Sequence, residues 1–188
     1  MAKTALLVMD VQQVVVERYP DAGYLPRLRT LTLAVREAGI PVIYAVIAFR
    51  PGGPEISPRN KMFGALAGRV GAAGDPSTEV HPEVAPQTGD ILVTKRRVSA
   101  FSGSDLDMIL RAGEIDHLVL TGIATSGVVL STLRQAADLD YRLTVLSDGC
   151  LDSDPEVHRV LTEKVFPRQA EVTTVAAWLH DLQAKENT

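Results

Sequence analysis

Polar residues with useful chemistry stand directly behind short apolar runs at four places. Asp10 follows "ALLVM" (5 to 9), Lys95 follows "ILVT" (91 to 94), "TGIATSG" (121 to 127) follows "HLVL" (117 to 120), and Asp148 lies just beyond "LTVL" (143 to 146). An aspartate and a lysine converging from different strand ends keep each other charged, or share a proton if the cleft is desolvated. Either state serves proton transfer, and the plain alternative is an ion pair that only ties two strand ends together. The 121 to 127 stretch offers small residues, backbone amides at a helix start and the hydroxyls of Thr121, Thr125 and Ser126, but no thiol. Such a turn suits an anion or a nucleophile, and it equally suits a tight corner.

The elements that must position these residues are legible from hydrophobic pattern. With "PVIYAVIAF" (41 to 49) and the weaker "EVTTV" (171 to 175), the apolar runs are continuous and rich in Val, Ile and Leu. That pattern fits strands buried on both faces, as in a parallel sheet. Helical spacing intervenes: Leu28, Leu31, Leu33, Val35 and Ala38 lead to Gly39, and Leu106, Ile109 and Leu110 follow Ser104-Asp105. Val128, Leu130, Leu133 and Ala136-Ala137 form a third set, and Asp154-Pro155 reads as N-cap and first-turn proline of a helix to about Phe166. Alternating strand and helix predicts right-handed crossovers and a doubly wound α/β sheet, whose ligands bind outside the carboxyl ends of the strands. Residues 50 to 90, rich in Pro and Gly, predict a long loop with a short helix over 63 to 70, placed as a lid or binding loop.

A chain of 188 residues, 46% hydrophobic and 22% charged, supports a single domain over 1–188. The net charge of -4 and pI near 5.6, without a basic patch, predict no nucleic acid and no anionic membrane surface among its partners. Apolar runs stay well short of the roughly 18 residues of a spanning helix, and Asp10 interrupts the first run before a signal sequence could form. One cysteine, Cys150, permits no internal disulfide, and a cytoplasmic location is the expectation. His81, His117, His158 and His180 are scattered without metal-ligand spacing, and no glycine-rich stretch matches a nucleotide fingerprint. No metal and no cofactor are expected.

"LLVMDVQ" (6 to 12), "TKRRVSAFSGSDL" (94 to 106) and "LTGIATSGVVLSTLRQAADLDYRLTVLSDGC" (120 to 150) occur in an order that resembles the isochorismatase-like hydrolase, or cysteine hydrolase, superfamily. The resemblance spans residues 4 to 175, the 50 to 90 loop being least constrained. It implies a Rossmann-like, three-layer α/β/α domain with a mostly parallel sheet of about six strands and a site at its carboxyl edge. In the amidase members an Asp, a Lys and a nucleophilic Cys act together. Asp10 takes the place of that Asp and Lys95 that of the Lys, while the Cys position falls on Gly127, which has no side chain to acylate. Neither Ser126, pointing elsewhere, nor Cys150, read as a small buried hydrophobe, is a convincing substitute.

The resemblance further implies a cis Ile123–Ala124 peptide and amides of Ala124 and Gly127 turned toward substrate charge. Isochorismatases carry Gly at the Cys position because vinyl-ether hydrolysis needs no thiolate, the Asp serving as general acid. The leading expectation is therefore a hydrolase of a small, anionic, vinyl-ether-like substrate. The alternatives are a catalytically silent binding or regulatory protein and, more weakly, an amidohydrolase using Ser126. Gln12, Arg97 and Phe101 are candidate substrate contacts, each also readable as structural. Arg50 and Arg59 are loop charges able to meet a carboxylate, and Asp148 is expected to support its turn. An apolar strip over 128 to 137, and the oligomers common in the family, suggest a homo-oligomer.

Overall fold

The computed structural model describes residues 3–65 and 75–186, and the side chains of residues 77, 185 and 186 fall outside that description. Six strands form one sheet: β1 (Thr4–Met9), β2 (Val42–Ile47), β3 (Ile91–Lys95), β4 (His117–Ile123), β5 (Arg142–Leu151) and β6 (Glu171–Thr173). Their spatial order is β3-β2-β1-β4-β5-β6, and every neighbouring pair is parallel. The order reverses between β1 and β4, so the crevice that such sheets use for ligands opens beyond the ends of these two strands.

Among the described residues the helices are α1 (Gln13–Val16), α2 (Tyr24–Glu37), α3 (Lys61–Gly64), α4 (Leu106–Ala112), α5 (Leu130–Asp138), α6 (Pro155–Val160) and α7 (Val175–Glu186). Alternation along β1 divides the core. Ala5, Leu7 and Met9 pack with Leu106 and Leu110 of α4 and with Leu133 and Ala136 of α5, whereas Leu6 and Val8 pack with Leu28, Leu31 and Val35 of α2 and Val175 of α7. These are the helical layers on the two faces of an α/β/α sandwich.

Val128, Val129, Leu133 and Ala136 are buried in the chain's own core. The apolar strip over 128 to 137 thus faces the chain's own core, with Leu130 and Ala137 partly buried against it. Gly39 adopts φ of +68° and ends α2 as its position predicts. Asp154 caps α6 by accepting from the amides of Glu156 and Val157. β5 continues past residue 146 after a register shift and brings Cys150 back into the sheet opposite Gly122.

The long loop carries α3, capped by the Asn60 side chain, and two 3-10 turns at Pro76–Thr78 and Pro82–Val84. Where the sequence predicts a helix over 63 to 70, α3 instead begins at Lys61, because the cap sits at Asn60, and ends at Gly64; positions 66 to 70 of that expectation lie outside the described residues. Within the described residues no helix is long and apolar enough to cross a membrane.

Candidate active site

Asp10 ends β1 with φ of +55°, a left-handed conformation that aspartate tolerates better than most residues. Its amide remains tied to the Ala45 carbonyl of β2 at 2.8 Å, so the chain turns at a fixed point. Lys95 ends β3, two strands away. Parallel neighbours lie about 4.8 Å apart, and the four-carbon lysine stem crosses β2 to put Nζ 2.9 Å from Asp10 Oδ2. The same ammonium donates to the Arg97 carbonyl at 3.0 Å. Lys95 is only 1% exposed, and Asp10 Oδ1 is buried without a hydrogen-bond partner among the described residues. Burial pushes the Asp10 carboxyl above its ordinary value, and the Lys95 ammonium offsets part of that rise.

The neighbouring strand supplies the turn. Met9 pairs with Gly122, so β4 runs out beside Asp10. Gly122 has φ of +145°, and a Cβ there would lie 2.3 Å from the Met9 carbonyl oxygen; only glycine lets the two strands approach so closely. The Ile123–Ala124 peptide is cis. A π-helical turn, Thr125–Val129, then leads into α5. A Cβ at Gly127 would meet only the Ala124 Cβ, at 3.8 Å, an ordinary contact that leaves room for a larger group.

The amides of this turn are unequally available. Gly127 N donates to the Ala124 carbonyl at 3.1 Å, closing the turn internally, and Ser126 N donates to Asp152 Oδ2 at 2.7 Å. The Ala124 amide has no acceptor among the described residues. Of the pair expected to face substrate charge, Ala124 is open and Gly127 is engaged.

The other sequence candidates take mostly structural contacts. Gln12, 1% exposed, accepts from Ile47 N at 2.8 Å and donates to the carbonyls of Ile47 and Thr78, stitching β1 to the end of β2 and to the loop. Arg97 donates to the carbonyls of Arg96 and Glu55 and lies over the Phe63 ring at 5.9 Å, which anchors the long loop beside Lys95. Phe101 packs in the core beside Tyr141, with ring centroids 6.0 Å apart. Arg50 is exposed and pairs with Glu55 at 3.5 Å, and Arg59 is also exposed. Asp148 accepts from the Val175 amide at 2.7 Å, supporting the start of α7. Cys150 is buried with its thiol pushed up to about 12, chiefly by desolvation.

Sequence reasoning gave no role at the turn to two residues that meet it, Asp152 and His158. Asp152 accepts from Ser126, and His158 Nδ1 lies 2.8 Å from Thr125 Oγ1. The signal was "DSDPEVH" (152 to 158), in which only Asp154 was recognised as a cap.

Comparison with known proteins agrees with this architecture. The Isochorismatase domain family model matches residues 4–177. The chain is 32% identical to the uncharacterized isochorismatase family protein YwoC of Bacillus subtilis, over 96% of this chain and 95% of that one. It is 35% identical to the ureidoacrylate amidohydrolase RutB of Stutzerimonas stutzeri, over 97% of this chain and 81% of the relative. Among solved structures, a cysteine hydrolase from Pseudomonas syringae pv. phaseolicola superposes with a TM-score of 0.86 at 26% identity, covering 97% of this chain and 93% of its own. An isochorismatase family protein from Desulfovibrio vulgaris reaches the same TM-score at 27% identity, covering 98% and 100%. With a family model spanning nearly its whole length and relatives above 30% identity, the chain belongs to the isochorismatase family of hydrolases.

Proposed function

We propose that this family member hydrolyses a small vinyl ether bearing a carboxylate, with Asp10 as general acid and no covalent intermediate. The observation that carries the reading is the buried Asp10–Lys95 pair, in which Asp10 Oδ1 has no hydrogen-bond partner among the described residues, and the reading takes Gly127 as the position where cysteine members carry their nucleophile. Protonated Asp10 gives its proton to the terminal vinyl carbon. The resulting oxocarbenium-like centre is captured by water, and the hemiketal collapses to a carbonyl compound and an alcohol while a proton returns to Asp10. Burial favours the neutral acid before transfer, and the Lys95 ammonium stabilises the carboxylate left behind. Lys95 and the Ala124 amide orient the substrate, and Gly127 leaves the space that sulfur would fill.

The names of the ureidoacrylate amidohydrolase relatives favour a second reading, amide hydrolysis, with Ser126 as the available hydroxyl. Asp152 is its neighbouring carboxylate. Burial raises that group, but hydrogen bonds from Ser126 and following amides outweigh it and hold it below the usual range, leaving a weak base. That favours the thiol-free acid route.

The test is turnover of isochorismate and of a simple vinyl-ether carboxylate. Asp10→Asn should lower kcat by about 10² or more, the lower end for a lost general acid, and Gly127→Cys should lower it by filling substrate space. Turnover of neither compound by the wild type, with binding alone altered in Asp10→Asn, would identify a binding protein instead.

A further inference from the structure

Asp152 stands where the amide end of the 125 to 138 helical run meets the site. Its Oδ2 accepts from Ser126 N at 2.7 Å, and its Oδ1 lies 3.4 Å from Asp154 N. Among the described residues no Lys or Arg lies within ion-pair distance of it. His158, hydrogen-bonded at the same turn to Thr125, is held below its ordinary value by burial and only partly supported by Asp152, so at neutral pH it adds no compensating charge. The sheet locates Asp152 relative to Asp10: Asp152 directly follows Leu151 of β5, which pairs with Ile123 of β4, and β4 lies beside β1, which Asp10 follows.

The opposite side of the site has the other sign. Lys95, paired with Asp10, comes from β3 on the far side of β1 from β5, with Arg96 and Arg97 following it in the chain, and among the described residues Glu55 is the carboxylate ion-paired with Arg50 and Arg96. A helix end normally welcomes an anion, but here the protein's own carboxylate already occupies it.

We infer that Asp152 is a specificity-determining residue, a fixed negative charge that bars anionic groups from the 124 to 127 turn and directs a substrate's carboxylate toward Lys95. Neutral hydrogen-bond donors, such as ring hydroxyls, fit the Asp152 side. The inference rests on Gly127 lining the substrate pocket, as in the function proposed above, but it does not depend on which bond is cleaved.

The experiment therefore avoids turnover. Gly127→Cys places a thiol at the turn, and its alkylation is followed by mass spectrometry with neutral iodoacetamide and anionic iodoacetate, normalised to the same reagents on N-acetylcysteine. The ratio of the two rates cancels any change in thiol ionisation. In Gly127→Cys the iodoacetate rate should be selectively depressed. Adding Asp152→Asn or Asp152→Ser, each retaining an acceptor for the Ser126 amide, should raise the iodoacetate to iodoacetamide ratio about threefold or more, the effect of one charge several Å away in a partly solvated site. An unchanged ratio in both variants, equal changes with both reagents, or a position 127 thiol that neither reagent reaches would each overturn the inference. Failure of vinyl-ether turnover would leave this measurement intact, so the two readings fall separately.

Discussion

Lys95 Nζ meets Asp10 Oδ2 at 2.9 Å after its stem has crossed an intervening strand, and the ammonium is 1% exposed. Two charges so placed depend on one another, because removing one leaves the other desolvated and unpaired. Asp10→Ala should destabilise the protein by about 3 to 5 kcal/mol, the range for breaking a buried pair. The double variant Asp10→Ala/Lys95→Met should recover at least half of that loss. Urea unfolding of the four species of the cycle measures it, and additive losses would contradict mutual compensation.

The proposed acid role of Asp10 carries a definite pH signature. Its folded value lies above 3.8 because burial outweighs Lys95, so the proton donor persists above the pH at which an exposed aspartate has ionised. Turnover of the vinyl ether, as kcat/KM, should fall as pH rises through the raised value. The stability term has the same sign: a carboxyl that binds its proton more tightly when folded stabilises most below 3.8 and loses that contribution as pH rises through its folded value. A kcat/KM that instead rises with pH over this window would assign Asp10 a general-base role.

Cys150 should be inert. Its thiol, pushed up to about 12 and buried within β5, offers almost no thiolate at neutral pH. Iodoacetamide should modify it only after denaturant unfolds the chain, and treating the native protein should leave turnover unchanged. Rapid native labelling, or inactivation by the reagent, would give the thiol a part in the reaction.

Gln12 should report on architecture more than on substrate. Gln12→Ala removes the acceptor for Ile47 N and the donor to Thr78, and an unsatisfied buried amide costs about 1 to 3 kcal/mol. The expected result is a lower urea midpoint. A rise in KM without loss of stability would show direct substrate contact.

The sequence by itself determined the strand and helix order, because continuous apolar runs and helical spacing are local consequences of burial on two faces or one. It also named Asp10, Lys95 and the 121 to 127 turn, since each directly follows an apolar run and a parallel sheet delivers the carboxyl ends of its strands to one edge. Only the tertiary structure decided which groups they meet. The 3-2-1-4-5-6 strand order sets β1 beside β4, with β2 between β1 and β3, and this order makes a lysine stem the right length to reach Asp10. Hydrogen bonds across separations of 26 to 66 residues turned Gln12 into a clamp, engaged the Arg97 guanidinium and put Asp152 on the Ser126 amide. No periodicity along the chain encodes such pairings, because what a polar side chain does depends on which distant donor or acceptor the fold places against it.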